Sequence, residues 1–174
     1  MRQGPIERKI FDLGGHAHFV TFSCYKRRRL LDEDGAKGIV IHFLAEGLQR
    51  IDGVCMGFVI MPDHVHAVLR FDKTGMLSLF IQQWKRMSSI RIKAFLKDRL
   101  PAYAAAIDPD EPVWQARYYD FNVFSSSKVQ EKLEYMHNNP VRKGLVSRAE
   151  EWRYGSAAWY LLKRPVGVKI VAPS

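Results

Sequence analysis

Val54-Cys55-Met56-Gly57-Phe58-Val59-Ile60-Met61-Pro62-Asp63-His64-Val65-His66-Ala67-Val68-Leu69-Arg70-Phe71 consists of two apolar runs joined by Pro62-Asp63. Pro and Asp both favour turns, so the stretch reads as an antiparallel hairpin with strands at 54–61 and 64–71. Side chains alternate faces along a strand. Val65, Ala67, Leu69 and Phe71 therefore point one way into a core, and His64 and His66 point together to the opposite face.

Working outward, His16 to Cys24 is rich in Phe, Val and Thr and reads as a strand. Val40, Phe43, Leu44, Leu48 and Ile51 recur at helical spacing and predict a helix over 34–50. Downstream, Leu77, Phe80, Ile81, Trp84 and Met87 mark a long helix whose other faces carry Lys85, Arg86, Arg91 and Lys93. Pro101 to Pro112 reads as a loop, and Val113 to Phe124 as a last strand or a bent pair of strands. The order β-α-β-β-α-β predicts the α+β class with a ferredoxin-like, RRM-like antiparallel sheet, two helices on one face and the other face open. Ser127 and Gln130 form a capping-box pattern that opens an additional helix through Tyr135, which Pro140 ends. Glu150 to Tyr160 reads as helical and the tail beyond Lys163 as loose. The expectation is a single domain over 1–174, with a core at about 14–146 and a C-terminal extension over 147–174.

Composition narrows the partners. Lys and Arg number 27 against 18 Asp and Glu, a net charge of +9. That balance favours a polyanion, nucleic acid first and an anionic membrane surface second. No apolar run approaches the roughly 20 residues that span a bilayer, and Met1 to Lys9 lack a signal-peptide core. Cys24 and Cys55 form no CxxC pair, which excludes a disulfide framework and a cysteine zinc site. The chain is expected inside the cell with both thiols reduced.

Two neutral imidazoles on one strand face make a partial site for a divalent ion and need another donor, although such a pair can equally be structural. Asp63 could supply it or could simply form the turn. On the later helix, Val129, Leu133 and Met136 form an apolar stripe, and Tyr135 falls roughly 130° from its centre. Asn139, four residues on, shares Tyr135's side of that helix. Histidine-triad hydrolases need a third alternating His where Val68 stands, and two-histidine phosphodiesterases need His-x-Ser/Thr twice; neither pattern is present. Lys26 to Arg29, including Arg27 and Arg28, then Lys85 with Arg86 and Arg142 with Lys143, form basic clusters suited to nucleic acid or to a solvated face. Tyr118 and Tyr119 could stack bases, as could Trp84 and Trp114, which also read as core.

The motifs Phe19-Val20-Thr21-Phe22, Met61-Pro62-Asp63-His64-Val65-His66, Trp114-Gln115-Ala116-Arg117-Tyr118-Tyr119-Asp120, Tyr135-Met136-His137-Asn138-Asn139-Pro140-Val141-Arg142-Lys143-Gly144-Leu145-Val146 and Trp152-Arg153-Tyr154-Gly155-Ser156 run through nearly the whole chain. In them the chain resembles the HUH single-strand transposases, and within these the REP-associated tyrosine transposases. The resemblance implies Tyr135 as nucleophile, His64 and His66 as metal ligands, and Asn139 where many relatives carry Gln as the third ligand. It implies Mg²⁺ or Mn²⁺ as the ion, where imidazoles alone would also suit zinc. It also implies cleavage and rejoining of single-stranded DNA hairpins, those of repetitive extragenic palindromes, through a 5′-phosphotyrosine. The expected setting is a monomer in the bacterial cytoplasm at the nucleoid. Two other readings stay open: a non-catalytic RNA- or single-strand-binding module of the same fold, and a metal-dependent nuclease that uses water.

Overall fold

The two apolar runs of the hairpin pair as antiparallel strands β2 (Val54–Ile60) and β3 (His64–Arg70), closed by a tight turn in which the Met61 N–H donates to the His64 carbonyl at 2.8 Å. The computed structural model describes residues 15–173. The sequence reading of Met1 to Lys9 and the expected start of the core at 14 lie outside the described residues. Strand β1 (Ala17–Ser23) pairs antiparallel with β3, and β4 (Tyr119–Val123) pairs antiparallel with β1. The sheet order β2-β3-β1-β4 is the ferredoxin-like arrangement expected from the element order.

Helices α1 (Asp34–Arg50) and α2 (Met76–Arg99) cover one face. Val40, Leu44 and Leu48 of α1 and Leu77, Phe80, Ile81 and Trp84 of α2 close on Val20, Phe22, Phe58, Val65 and Leu69 of the sheet. The Trp84 indole N–H donates to the Val40 carbonyl at 2.9 Å, so this buried ring ties the helix pair together with its polar atom satisfied.

The second face is not open. Helix α4 (Ser126–His137) lays Val129, Leu133 and Met136 on Ala17, Phe19, Met56, Val59, Val68 and Val123. Gly57 makes this approach possible, because a Cβ there would lie 2.4 Å from Leu133 and 2.5 Å from Met136. The extension reaches the sheet as well: the Ile60 N–H donates to the Tyr154 carbonyl, Ser156 N–H to Phe58, and Val171 N–H to Cys55. These contacts line the outer edge of β2, and Ile170 is buried, so the tail is partly docked rather than loose.

Local boundaries differ from expectation for identifiable reasons. Pro101 does not break structure but starts a short helix, α3 (Pro101–Ala105), since proline suits a first helical turn. Residues 113–118 are not strand; Trp114 makes a single bridge to Cys24, and β4 begins at Tyr119. The cap of α4 is Ser125, whose hydroxyl accepts from the Lys128 N–H at 3.3 Å, in place of the Ser127 capping box. The Tyr135 helix does stop before Pro140, at His137, but Pro140 also sits in the first turn of α5 (Asn139–Arg142), so Asn139 is helical where extended geometry was expected. A final helix, α6, covers only Ala157–Leu162, preceded by a 3₁₀ turn at Ala149–Glu151.

Candidate active site

Strand register builds the floor of a pocket. Thr21 lies opposite His66, and Ser23 opposite His64, with all four on the α4 side of the sheet. The Thr21 hydroxyl is 2.6 Å from His66 Nδ1, and an Asp63 carboxylate oxygen is 2.6 Å from His64 Nδ1. The Asp63 carboxylate accepts from the His64 Nδ1–H, which leaves a lone pair at His64 Nε2; the Thr21 hydroxyl can accept or donate, and it accepts from the His66 Nδ1–H when the Asn139 amide donates to His66 Nε2.

Those Nε2 atoms converge on Asn139, whose amide nitrogen lies 3.0 Å from His66 and 3.5 Å from His64. Asn139 gets there because the chain breaks between α4 and α5, not because it shares one helical side with Tyr135. Phe19 stacks on His66 with ring centres 5.4 Å apart and planes at 16°. Burial pushes His66 down to about 3, with the neighbouring His64 adding to the effect. His64 is lowered by burial too, against the opposing pull of Asp63. Both rings are therefore neutral at physiological pH, the state in which imidazole binds a metal.

Tyr135 hangs over this floor from α4. Its ring centre is 5.8 Å from that of His66 and 6.2 Å from that of Phe19, and the side chain is 46% exposed, as its place off the apolar stripe predicted. Arg142 fixes it: the guanidinium lies 4.4 Å above the ring and donates to the Tyr135 carbonyl at 2.6 Å. Thr21, Arg27, His64, His66, Tyr135, Asn139, Arg142 and Lys143 enclose about 420 Å³. Arg27 reaches the rim from a left-handed backbone, φ 55°, and bonds Ser23 at 2.6 Å and Asp63 at 3.0 Å.

The arrangement fits a divalent cation by donor chemistry. Two imine lone pairs face an amide that can turn its oxygen toward them, and basic residues rim the opening. Among the described residues no group of three or more His, Cys, Asp or Glu side chains could hold a metal, and the side chain that meets both Nε2 atoms is the Asn139 amide. Asp63 stands behind His64, as an orienting partner.

The other basic residues named from sequence lie elsewhere. Arg28 pairs with Glu111 at 2.7 Å. Lys85 donates to the carbonyls of Gln115 and Ala116 at 2.6 and 3.0 Å, holding the lead-in to β4. Arg86 is exposed on α2, behind the sheet. Trp84 and Trp114 are buried and cannot meet a base, and the Tyr118 hydroxyl bonds Ser78 at 3.0 Å. Sequence reading missed Thr21 and the orienting role of Asp63. The strand pattern put Thr21 on the right face, but only long-range register puts it opposite His66.

A family model described as Transposase IS200 like matches residues 13–139. The chain belongs to the IS200-like transposase family. The chain is 24% identical over 102 residues to a Haemophilus influenzae protein named as a putative REP-associated tyrosine transposase, a match covering 56% of this chain and 54% of the relative. It thus spans about half the length of that curated relative. In structure, this family member is similar to a REP-associated tyrosine transposase solved with a REP hairpin, at TM-score 0.69 and 16% identity over 97% of this chain and 93% of that one. That likeness shows the shared α+β fold.

Proposed function

We propose that this transposase is a metal-dependent single-tyrosine enzyme that cleaves and rejoins single-stranded DNA at hairpins. The observation that carries the reading is the convergence of the His64 and His66 Nε2 atoms on Asn139 beneath Tyr135. In this reading the Tyr135 hydroxyl oxygen attacks the phosphorus, the bond from phosphorus to the 3′ oxygen breaks, and the strand's 5′ phosphate remains on Tyr135. The phenolic proton leaves to solvent, and the released 3′ oxygen takes one up. Attack by another 3′-hydroxyl reverses the step and rejoins strands without an external energy source. Mg²⁺ or Mn²⁺ held by His64, His66 and Asn139 would supply charge that stabilises the non-bridging phosphate oxygens. Arg27, Arg142 and Lys143 draw the backbone to the pocket, and Arg142 also holds the Tyr135 ring in place.

The hairpin bound by the structural relative supports hairpins of repetitive extragenic palindromes as the substrate class. The chain then acts as one domain, its extension packed on β2, and as a monomer at the nucleoid in the cytoplasm of a bacterium. No helix among the described residues is long and apolar enough to cross a membrane.

Incubation with labelled hairpin oligonucleotides and Mn²⁺, resolved on a denaturing gel, tests the reading. Wild type should give a protein-linked product, and Tyr135→Phe should bind DNA yet give none, whereas Tyr118→Phe and Tyr119→Phe should keep the adduct. Cleavage with no adduct at any time point would make the chain a water-using nuclease. Binding without cleavage would make it a recognition module.

A further inference from the structure

The sheet face that carries the histidines continues past β1 onto β4. Register places His66, Thr21 and Tyr119 in one row across three strands, and Val68, Phe19 and Phe121 in the next. Strands lie about 4.8 Å apart, which sets Tyr119 roughly 10 Å from His66. Helix α4 covers the centre of this face but leaves Tyr119 43% and Phe121 39% exposed. These two large rings take adjacent same-face positions on one strand, roughly 7 Å apart, and form a partly exposed apolar patch beside the pocket. Lys132 from α4 stands beside this pair, its ammonium 4.9 Å from the Phe121 ring centre and 5.4 Å from that of Phe19. Tyr135 in turn packs on Phe19 with ring planes at 83°.

The geometry points to a base-stacking track on β4, in which Tyr119 and Phe121 take successive unpaired bases flanking the scissile phosphate and Lys132 meets the phosphate between them. It rests on the functional reading above, and it names where the single-stranded part of the substrate lies. The occupant follows from the pairing of chemistries. Exposed π-faces bind any base, and a cation among them matches a polyanionic backbone rather than an apolar peptide. The net charge of +9 favours the same partner. The row also has a direction: it starts at the residues proposed to hold the reacting phosphate and leads across the sheet to its β4 edge. A duplex stem keeps its bases stacked on one another, so the track accepts only nucleotides outside the stem.

The test uses the full chain and a DNA stem-loop, either blunt or carrying a single-stranded oligo-dT tail of about eight nucleotides with 2-aminopurine at positions next to the stem. Tyr119→Leu and Phe121→Leu remove the ring while keeping apolar volume, and Phe121→Trp keeps a stacking face. Each Leu variant should weaken binding of the tailed hairpin by roughly 5- to 150-fold and leave the blunt hairpin unchanged. 2-Aminopurine should be quenched on binding wild type and Phe121→Trp, and should stay bright with the Leu variants. Equal losses for blunt and tailed hairpins, or unaltered tail affinity and quenching in both Leu variants, would overturn the track. If wild type forms no covalent adduct with any hairpin while the tail effects persist, the catalytic reading falls and the track stands. An adduct without tail effects reverses that outcome.

Discussion

His64 and His66 would be inert decoration if their rings could turn freely, and the two Nδ1 partners prevent this. Thr21 and Asp63 each sit 2.6 Å from an Nδ1, which orients both rings, fixes the tautomer of His64 and aims both Nε2 atoms at Asn139. Partners of this kind raise ligand basicity, and their removal typically costs 10- to 100-fold in metal affinity. Thr21→Val keeps the shape and loses the acceptor; Asp63→Asn keeps the size and loses the charge that faces both His64 and Arg27. Each should weaken Mn²⁺ binding by roughly 10- to 100-fold in isothermal titration, with the melting temperature of the metal-free protein little changed. His64→Ala and His66→Ala should abolish the binding heat. Unaltered Mn²⁺ affinity in both orienting variants would show that packing alone holds the rings, with Phe19 the first suspect.

Helix α4 converts that prepared floor into a pocket, so its seat on the sheet controls where Tyr135 stands. The seat is Val129, Leu133 and Met136, all buried, against strands that Gly57 lets come close. Leu133→Ala should cost about 2–5 kcal/mol of stability through lost transfer energy and a cavity. It should also lower adduct formation at a temperature where the variant remains folded, because small misplacements of a nucleophile are penalised steeply. Urea unfolding and single-turnover gels measure the two effects; full activity in a destabilised variant would show that Arg142, rather than the helix seat, positions Tyr135. The helix itself was readable in sequence, as were α1, α2 and the hairpin, since each has a periodic apolar pattern long enough to identify its partner face. The His pair and the exposure of Tyr135 were readable for the same reason. What lay beyond the sequence is long-range: that α4 would cover the second sheet face, that Thr21 would register with His66, and that Asn139 would enter the pocket from a separate short helix. Pro101 misled and Pro140 told only half, ending the Tyr135 helix as expected but also opening α5, because a residue that ends one helix is equally suited to begin another.

Across the whole molecule, the same burial that keeps the site's imidazoles neutral makes stability depend on pH. His64 and His66 are held down by burial, and so is His137, pushed down to about 4, whose Nε2 meets the Ser156 hydroxyl at 2.7 Å where α4, β2 and the C-terminal extension join. In the unfolded chain these rings return to the ordinary value near 6.5. Below that pH the unfolded state binds protons that the native state refuses, so stability is complete above about 6.5 and falls as the pH drops toward the native values. Each ring contributes a slope of up to about 1.4 kcal/mol per pH unit, and three together about 4. A formal charge of +9 at pH 7 works in the same direction, since every added proton increases self-repulsion. Metal-free protein unfolded by urea should therefore show a midpoint that is flat above pH ~7 and drops steeply between ~6.5 and ~4.5. His137→Gln keeps a polar group for Ser156 and removes one titrating ring; its curve should be shallower by about one proton's worth across that window. A midpoint independent of pH over the same range would mean that the three rings take up protons equally in the native state. The pocket would then hold imidazolium below about pH 6.5, and Mn²⁺ would compete with protons for the two rings over that range.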